Sequence, residues 1–294
     1  MTETSEQSIL RLSGSKPISL VDQVAVEEPL EIRLRYFKER GMHYSPVEKT
    51  ISITMRTPGA DFDLSLGFLF TEGIIYSLDD IEEVAHCPGG KGNIVKVSLK
   101  KGVKVNMPTL DRHFYTSSSC GVCGKTSIEA LKSQNPYIDN IQSTLEISQE
   151  FLYKLPKTLR EAQRLFEKTG GLHGCALFDI SGELTHVRED VGRHNALDKL
   201  VGACLRERLE LPLKSKVLLL SGRASFELIQ KAAMAGISVI GAIGAPSSLA
   251  IELAKNCNIT LVGFLRAGKM NVYSGSDRVR IYEMENPGRE AGRH

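Results

Sequence analysis

Alternation of apolar and polar residues marks the first part of the chain as rich in β-strands. In Leu30-Glu-Ile-Arg-Leu-Arg-Tyr36 and in Thr50-Ile-Ser-Ile-Thr-Met-Arg56, apolar side chains occupy every second position, which is the period of a half-buried strand. Residues 92–99 repeat this pattern. Residues 61–72 instead have the pattern of a helix with an acidic start, and Gly73 is placed to end it. We therefore predict a mixed, β-rich N-terminal part.

The second half of the chain alternates short apolar strands with amphipathic helices. The strands are predicted at residues 174–179, 184–188, 216–221, 237–243 and 259–265, and the helices at 157–168, 193–208, 224–235 and 247–255. Because the connections are short and the later strands are apolar throughout, this order predicts a mainly parallel sheet covered by helices on both faces. The fold class is α/β, or α+β once the N-terminal strands are included.

These patterns divide the chain into parts. We predict an N-terminal mixed β-rich domain over residues 17–115 and a C-terminal α/β domain over residues 131–274. Residues 116–130 are predicted to be a mobile loop followed by the start of a helix. Residues 1–16 and 275–294 are polar and are predicted to be frayed tails.

Charge and hydropathy argue against two classes of protein. The chain has 37 Lys and Arg against 35 Asp and Glu, a net charge of +2 that is too balanced for a dedicated nucleic-acid-binding protein. Its longest apolar runs are far shorter than the ~20 residues that cross a bilayer, and its N-terminus lacks the apolar region of a secretory signal. We expect a cytoplasmic protein that binds neither nucleic acid nor membrane.

Two of the six cysteines form the close pair Cys120-Gly-Val-Cys123. The pair follows a run of serines, and Lys125 and the helix predicted to begin after Thr126 would both favour the thiolate form. A reactive, accessible thiol is the first interpretation. A zinc half-site is the second, although no other such pair completes it, and disulfide exchange is the third.

Three predicted strand ends are rich in small and cationic residues, and they cover residues 221–225, 243–248 and 264–269. Ligands of open parallel sheets bind at this edge, and free N–H groups at helix starts favour anions. Arg223, Arg266 and Lys269 would add positive charge, so the three segments together predict a phosphate or pyrophosphate cradle. Taken singly, each segment is more typical of a turn or a helix cap than of a ligand site. The chain has neither GxGxxG nor a P-loop motif.

Two histidines, His173 and His194, lie in connections that contain glycine, where functional residues concentrate. Either histidine could instead have a purely structural role. Asp190 is interpreted as a cap of the helix that follows it.

Seven segments, taken in order, resemble the FdhD/NarQ family of formate dehydrogenase accessory proteins. They cover residues 56–75, 118–125, 169–173, 188–199, 222–227, 244–249 and 263–266. The resemblance extends from about residue 18 to Tyr273, which leaves only the two tails outside it.

The resemblance implies a sulfurtransferase that works as a sulfur carrier. Members of the family accept sulfur from a cysteine desulfurase as a cysteine persulfide, and the persulfide position matches Cys120, with Cys123 as its companion thiol. They pass the sulfur to the molybdenum (or tungsten) bis-guanine-dinucleotide cofactor before its insertion into formate dehydrogenase. The family's cofactor-binding segment matches six residues here: Phe264, Leu265, Arg266, Ala267, Gly268 and Lys269.

The resemblance also implies a cytidine deaminase-like three-layer core and a homodimer. Five further cofactor-binding candidates come from the strand ends and the two histidines: Arg223, Ser247, Ser248, His173 and His194. No metal site and no permanently bound cofactor are predicted, and the sequence lacks the H-x-E and P-C-x-x-C motifs of zinc deaminases. The alternative function is a non-catalytic chaperone that binds the molybdenum cofactor and hands it on.

Overall fold

The computed structural model describes residues 2–14, 16–40, 43–89, 92–105 and 145–281. Two strands at the N-terminus form a long antiparallel hairpin. Strands β1 (Thr4–Ser13) and β2 (Lys16–Ala25) pair without interruption. The prediction of a frayed N-terminal tail is therefore wrong for residues 4–13. Pairing between strands satisfies the backbone groups of polar residues as well as those of apolar ones, and Gly14, with φ at 69°, supplies the turn.

The next four strands form a separate sheet, in the order β4-β3-β6-β5. They are β3 (Glu28–Arg40), β4 (His43–Arg56), β5 (Ile81–His86) and β6 (Ile94–Leu99). The alternation predicted for residues 30–36 is confirmed, because Leu30, Ile32 and Leu34 are fully buried on one face of β3. The β-rich N-terminal part predicted from the sequence is thus present.

Helix α1 (Asp61–Thr71) follows this sheet and begins and ends close to the predicted positions. Gly73 has a φ of 67°, a left-handed conformation that glycine adopts without steric cost. Its N–H donates to the carbonyl oxygen of Phe70 at 2.9 Å, which closes the last turn of the helix.

The second half of the chain contains the larger sheet and most of the described helices. Its strands are β7 (Ile147–Ser148), β8 (His173–Phe178), β9 (Leu184–Asp190), β10 (Val217–Leu220), β11 (Val239–Ala242), β12 (Thr260–Arg266), β13 (Lys269–Ser274) and β14 (Val279–Arg280). Its helices are α2 (Gln149–Ala162), α3 (Arg164–Thr169), α4 (Arg193–Arg206), α5 (Phe226–Met234) and α6 (Ser248–Asn256).

Six of these strands form one mixed sheet in the order β13-β12-β11-β10-β8-β9. The pairs β10–β11 and β11–β12 are parallel, whereas β8–β9, β8–β10 and β12–β13 are antiparallel. The prediction of a mainly parallel sheet therefore holds only for its centre. The short turns after Asp179 and Arg266 leave no room for the crossover that parallel neighbours require.

Helices cover both faces of this sheet, as predicted. Leucines of α2 pack against Leu219 and Val239 on one face. Helices α4, α5 and α6 pack on the other face, against Leu218 and Ile240. The helix predicted over 157–168 differs from the structure, because α2 begins at Gln149 and ends before α3 starts.

Helices α1 and α4 cross at a pair of glycines. A methyl group added to Gly67 would lie 1.8 Å from the carbonyl oxygen of Asp198, and one added to Gly202 would lie 1.8 Å from that of Asp63. This crossing joins the two sheets, and one hydrophobic cluster runs from Leu30 in β3 to Ile240 in β11.

The end of the described chain is also ordered beyond the predicted boundary at residue 274. Ser276–Arg278 form a 3₁₀ turn, and β14 pairs in parallel with β7. The predicted C-terminal tail is therefore wrong for residues 276–280. The predicted boundaries between residues 115 and 131 lie outside the described residues, and the division into domains stays a prediction.

Candidate functional site

The carboxyl ends of β10, β11 and β12 meet at one edge of the larger sheet, where their backbones are hydrogen-bonded together. Gly244 N donates to the carbonyl oxygen of Gly222 at 2.9 Å, and Phe264 N donates to that of Gly244 at 3.1 Å. We call residues 221–225, 243–248 and 264–269 the strand-end rim. The structure thus brings together the three segments that the sequence singled out.

Glycine at position 244 allows this close approach. A methyl group there would lie 2.9 Å from both the carbonyl oxygen of Gly222 and the backbone nitrogen of Arg223. Because both contacts are with backbone atoms, no side-chain rearrangement could relieve them. A residue with a side chain would force the two segments apart.

Two helices begin at the rim. Ser247 caps α6, since its Oγ accepts from Ala250 N at 3.2 Å, while its own N–H donates to the carbonyl oxygen of Ala224 at 3.0 Å. Ser248 is the first residue of α6, and both serines and Arg223 are exposed. Ser225 occupies the cap position of α5 but makes no side-chain cap hydrogen bond. The first N–H groups of a helix lack carbonyl partners within the helix, so helix starts of this kind suit an anionic ligand.

The predicted cofactor segment 264–269 forms the end of β12 and the hairpin into β13. Arg266 pairs with Lys269 across a turn made by Ala267 and Gly268, and all four residues are exposed. Phe264 is 39% exposed and has a φ of 51°, which is unusual for a residue with a side chain. The side chain of Leu265 is buried and packs in the core beside Val262.

Both candidate histidines lie at the same edge of the sheet. His173 begins β8 beside Gly222, where an added methyl group would lie 3.3 Å from the imidazole Nδ1. His194 lies in the first turn of α4, with Nε2 3.3 Å from Ser225 Oγ and 3.9 Å from Glu227 Oε2. Both imidazoles therefore lie next to the strand-end rim.

The surroundings of both imidazoles favour the neutral form. Burial lowers the pKa of His173, and the positive charge of Arg193 lowers it further. Burial also lowers the pKa of His194 to about 4, with added effects of Lys231 and Arg193. A neutral imidazole can accept a proton or a hydrogen bond on one nitrogen.

Asp190 holds the start of α4 against the N-terminal part of the chain. Its Oδ2 lies 2.7 Å from Lys199 Nζ and accepts from Thr57 N at 3.1 Å. Its Oδ1 accepts from Gly192 N at 2.8 Å and from Asn195 Nδ2 at 3.2 Å. The sequence interpretation as a helix cap missed this wider role. Asp190 positions the segment that carries Arg193 and His194.

A second buried ion pair lies on the Thr57 side of the contact between Thr57 and Asp190. Arg56 Nε lies 2.9 Å from Asp61 Oδ1, and Arg56 has no exposed surface. Arg56 also donates to Asn93 Oδ1 at 2.9 Å. This pair shapes the turn at residues 57–60, whose Thr57 contacts Asp190. The segments 56–75 and 188–199 are thus joined by buried polar groups.

A third polar cluster lies where α1, α4 and α5 meet. Lys231 Nζ lies 3.0 Å from Asp198 Oδ2 and 2.9 Å from Glu72 Oε1. It also donates a hydrogen bond to Thr71 Oγ1. Burial raises the pKa of Asp198 to about 6, although the charge of Lys231 opposes this effect. The cluster joins α5 to both α1 and α4.

The thiols Cys120 and Cys123 lie outside the described residues. Of the other cysteines, Cys87 is partly exposed and three are buried: Cys175, Cys204 and Cys257. Burial raises the pKa of Cys175 far above its usual range and that of Cys204 to about 12. These two thiols are therefore poor nucleophiles at neutral pH.

Two clefts lie away from the rim. One, of about 330 Å³, opens beside α1 and is lined by Phe62, His86 and Arg206, among others. The other, of about 470 Å³, lies between α3 and β9 and is lined by Glu3, Glu189 and others. Neither contains a predicted cofactor-binding residue. Within the described ranges, no helix combines the length and apolar character needed to cross a membrane.

Comparison with known proteins gives consistent results. Residues 25–280 match the FdhD/NarQ family. The chain is 46% identical to the sulfur carrier protein FdhD of Streptomyces coelicolor, over 95% of this chain and 96% of that protein. It is 40% identical to the sulfur carrier protein FdhD of Saccharolobus solfataricus, over 92% of this chain and 96% of that protein.

A solved structure has the same fold. The crystal structure of a protein from Desulfotalea psychrophila, described as a formate dehydrogenase accessory protein, superposes with a TM-score of 0.68. The match is 23% identical and covers 95% of this chain and all of that one. With a family match over most of its length and close relatives of equal length, the chain belongs to the FdhD/NarQ family.

Proposed function

We propose that this protein is a sulfur carrier that serves the maturation of formate dehydrogenase. The observation that carries the proposal is the Cys120-Gly-Val-Cys123 pair in a chain whose relatives are named sulfur carrier proteins. The two thiols enter the proposal from the sequence alone. The buried, high-pKa thiols Cys175 and Cys204 leave this pair as the better candidate for sulfur chemistry.

Cys120 takes the sulfur by a simple exchange. Its thiolate attacks the outer sulfur of a persulfide on a cysteine desulfurase, which forms a new S–S bond on Cys120. The S–S bond on the desulfurase breaks, and its cysteine leaves as a thiolate. Cys123 is the companion thiol. One S–S bond forms as another breaks, so the reaction is balanced in sulfur and in electrons and needs no further oxidant.

The acceptor of this sulfur is the molybdenum bis-guanine-dinucleotide cofactor, bound as a substrate at the strand-end rim. Support comes from the exposed Arg266 and Lys269, the helix starts at Ser225 and Ser247, and the two histidines. Guanidinium groups and helix N-termini are suited to phosphate oxygens, which this dinucleotide carries. We place the guanine-nucleotide end at the rim.

We also propose that the protein has a cytidine deaminase-like core, forms a homodimer and is located in the cytoplasm. The strand order β9-β8-β10-β11-β12, with β8 antiparallel to both neighbours, supports such a core. Zinc-dependent deamination is not part of the proposal, because the sequence lacks the motifs of that reaction.

Intact-protein mass spectrometry tests the central step. After incubation with a cysteine desulfurase and cysteine, the chain should gain one sulfur atom, and peptide mapping should place it on Cys120. The Cys120→Ala variant should gain none, whereas Cys87→Ala, which removes a partly exposed thiol elsewhere, should behave as the unchanged protein. Sulfur found on another cysteine, or on none, would contradict the proposal.

A further inference from the structure

Arg193 acts on both histidines of the rim. It is the first residue of α4, and its positive charge lowers the pKa of His173 and of its neighbour His194. Its Nε is buried and has no hydrogen-bond acceptor in the part of the chain that the structure describes. A buried N–H donor without an acceptor costs free energy unless a ligand supplies one.

The acidic group near His173 is already engaged. Asp190 is the one carboxylate with a resolved effect on this imidazole among the described residues. It is bound by Lys199 and by the amides of Thr57 and Gly192. Among the described residues, the Arg193 guanidinium forms no ion pair with Asp190 or with another carboxylate.

Around His194, the effects of positive charges on its pKa also outweigh those of negative charges. Lys231 and Arg193 lower its pKa, and Glu227 and Glu72 raise it by smaller effects. Glu72 is paired with Lys231 at 2.9 Å, and Glu227 Oε2 is 3.9 Å from the imidazole, beyond hydrogen-bond distance. Ser225, which does not cap its helix, presents its hydroxyl to the imidazole instead.

We propose that Arg193, His173 and His194 form a subsite for a phosphoryl group, a tetrahedral oxyanion whose binding is coupled to proton uptake by the imidazoles. The guanidinium donates from fixed N–H groups, and each imidazole becomes a second donor once it is protonated. The inference deepens the cofactor-binding proposal and rests on it for the source of the phosphoryl group.

The direction of the pH dependence follows from the charges. Without an anion, burial and the charge of Arg193 lower the pKa of both imidazoles and favour their neutral form. A bound dianion offsets the charge of Arg193 and favours the imidazolium form. Binding therefore raises both pKa values, and by linkage the anion binds more tightly as the pH falls.

Sulfate is the probe for this test, because it stays a dianion throughout the working range of pH. The imidazole signals of the full-length protein, labelled with ¹⁵N-histidine, are followed by NMR from pH 8 to pH 5 with and without sulfate. We expect sulfate to raise the pKa of His173 and of His194 by about one pH unit, which corresponds to about tenfold tighter binding to the protonated form. His186, which pairs with Glu207 instead, serves as the internal control.

Variants at the two ends of α4 test the role of Arg193. Arg193→Gln should weaken sulfate binding at least tenfold at pH 6, and Arg193→Lys, which keeps the charge but not the planar fork, should weaken it less. Arg208→Gln removes an exposed guanidinium just beyond the opposite end of the helix and should change nothing. Unmoved imidazole signals, or unchanged affinity in a folded Arg193 variant, would overturn the subsite.

Guanosine diphosphate separates the sources of the phosphoryl group. If saturating nucleotide abolishes the effect of sulfate on both imidazoles, the nucleotide occupies the subsite. If both bind together, the subsite serves a free inorganic anion. Arg266→Glu changes a residue outside the subsite, so it should weaken nucleotide binding and leave the effect of sulfate on both imidazoles unchanged. Failure of the nucleotide proposal and failure of the subsite are thereby read separately.

Discussion

Lys199 and Asp190 form an ion pair of 2.7 Å in which neither side chain is more than 3% exposed. Lys199 Nζ also donates to the carbonyl oxygen of Thr57 at 2.8 Å, so a single ammonium group joins α4, the end of β9 and the turn before α1. A pair so completely removed from water is sensitive to the loss of either partner.

Replacing Lys199 with methionine should lower the free energy of unfolding by about 3–5 kcal/mol, because it leaves the Asp190 carboxylate buried without its counter-charge. Chemical denaturation at pH 7 measures the loss. The matched control is Lys157→Met, which removes an exposed lysine paired with Glu161 and should change stability by about 0.5 kcal/mol or less. Equal effects of the two substitutions would contradict the structural role of the buried pair.

The crossing of α1 and α4 predicts strong intolerance at Gly202. Gly202→Ala should lower the free energy of unfolding by about 3 kcal/mol or prevent folding, because the new methyl group meets the backbone of Asp63 at 1.8 Å. Gly171→Ala is the control, since a methyl group there meets its nearest neighbour at 3.9 Å. Thermal unfolding of both variants distinguishes them. A stable Gly202→Ala protein would mean that the helices can separate at this point.

How much of this structure could be predicted depends on how local each signal is. The period of residues 30–36 and the glycine after α1 each act within one element, and both predictions are confirmed. The pairing of β1 with β2 was not predicted, because a mostly polar segment lacks the apolar alternation that indicates a strand. Its hydrogen bonds come from the neighbouring strand. Strand directions in the larger sheet depend on pairing between distant segments, which periodicity does not contain.

The candidate site shows the same limit. The sequence placed small and cationic residues at the strand ends, and the structure brings those ends together. Nothing in the sequence indicated that Asp190 and Lys199 pair, because the two residues belong to different elements that only the fold brings together. The effect of Arg193 on His173 acts between two elements, α4 and β8, so only the folded chain reveals it.

His194 should make the protein less stable in acid. Its pKa is about 4 in the folded protein and about 6.5 when unfolded. The unfolded state therefore takes up a proton first as the pH falls, and the stability present above pH 6.5 is lost progressively down to about pH 4. The loss from this group should be on the order of 3 kcal/mol.

Denaturation curves at pH 7 and pH 4.5 measure this effect. The difference between the two values should be smaller for His194→Asn than for the unchanged protein. His43→Asn, at an exposed position in β4, should leave the difference as it is. An identical pH dependence in the His194 variant would show that the imidazole is not held neutral by its surroundings.

Arg266→Glu should weaken the binding of guanosine diphosphate. Removing a charge-assisted contact costs about 1.5–3 kcal/mol, which corresponds to roughly 10- to 150-fold in the dissociation constant. Isothermal titration calorimetry measures it, with Arg208→Glu as a control of equal charge change away from the rim. Unchanged affinity in Arg266→Glu would place the nucleotide elsewhere.

Cys120→Ala separates a sulfur carrier from a chaperone that only binds the cofactor. The carrier requires the thiol, so the variant should fail to restore formate dehydrogenase activity in cells that lack the protein, while it still binds guanosine diphosphate. Full activity with the Ala variant would favour the chaperone, which uses the rim alone. Loss of nucleotide binding as well would point to a folding defect, which circular dichroism would detect.

The amide hydrogens of Gly244 and Phe264 are already used within the rim, each by the segment next to it. Neither amide can therefore donate to a ligand, and ligand recognition at the rim depends on side chains and on the first turns of α5 and α6. The same two hydrogen bonds hold the three segments of the rim together, so the rim has its shape before a ligand binds. Binding at the rim therefore costs little conformational entropy for ordering its backbone.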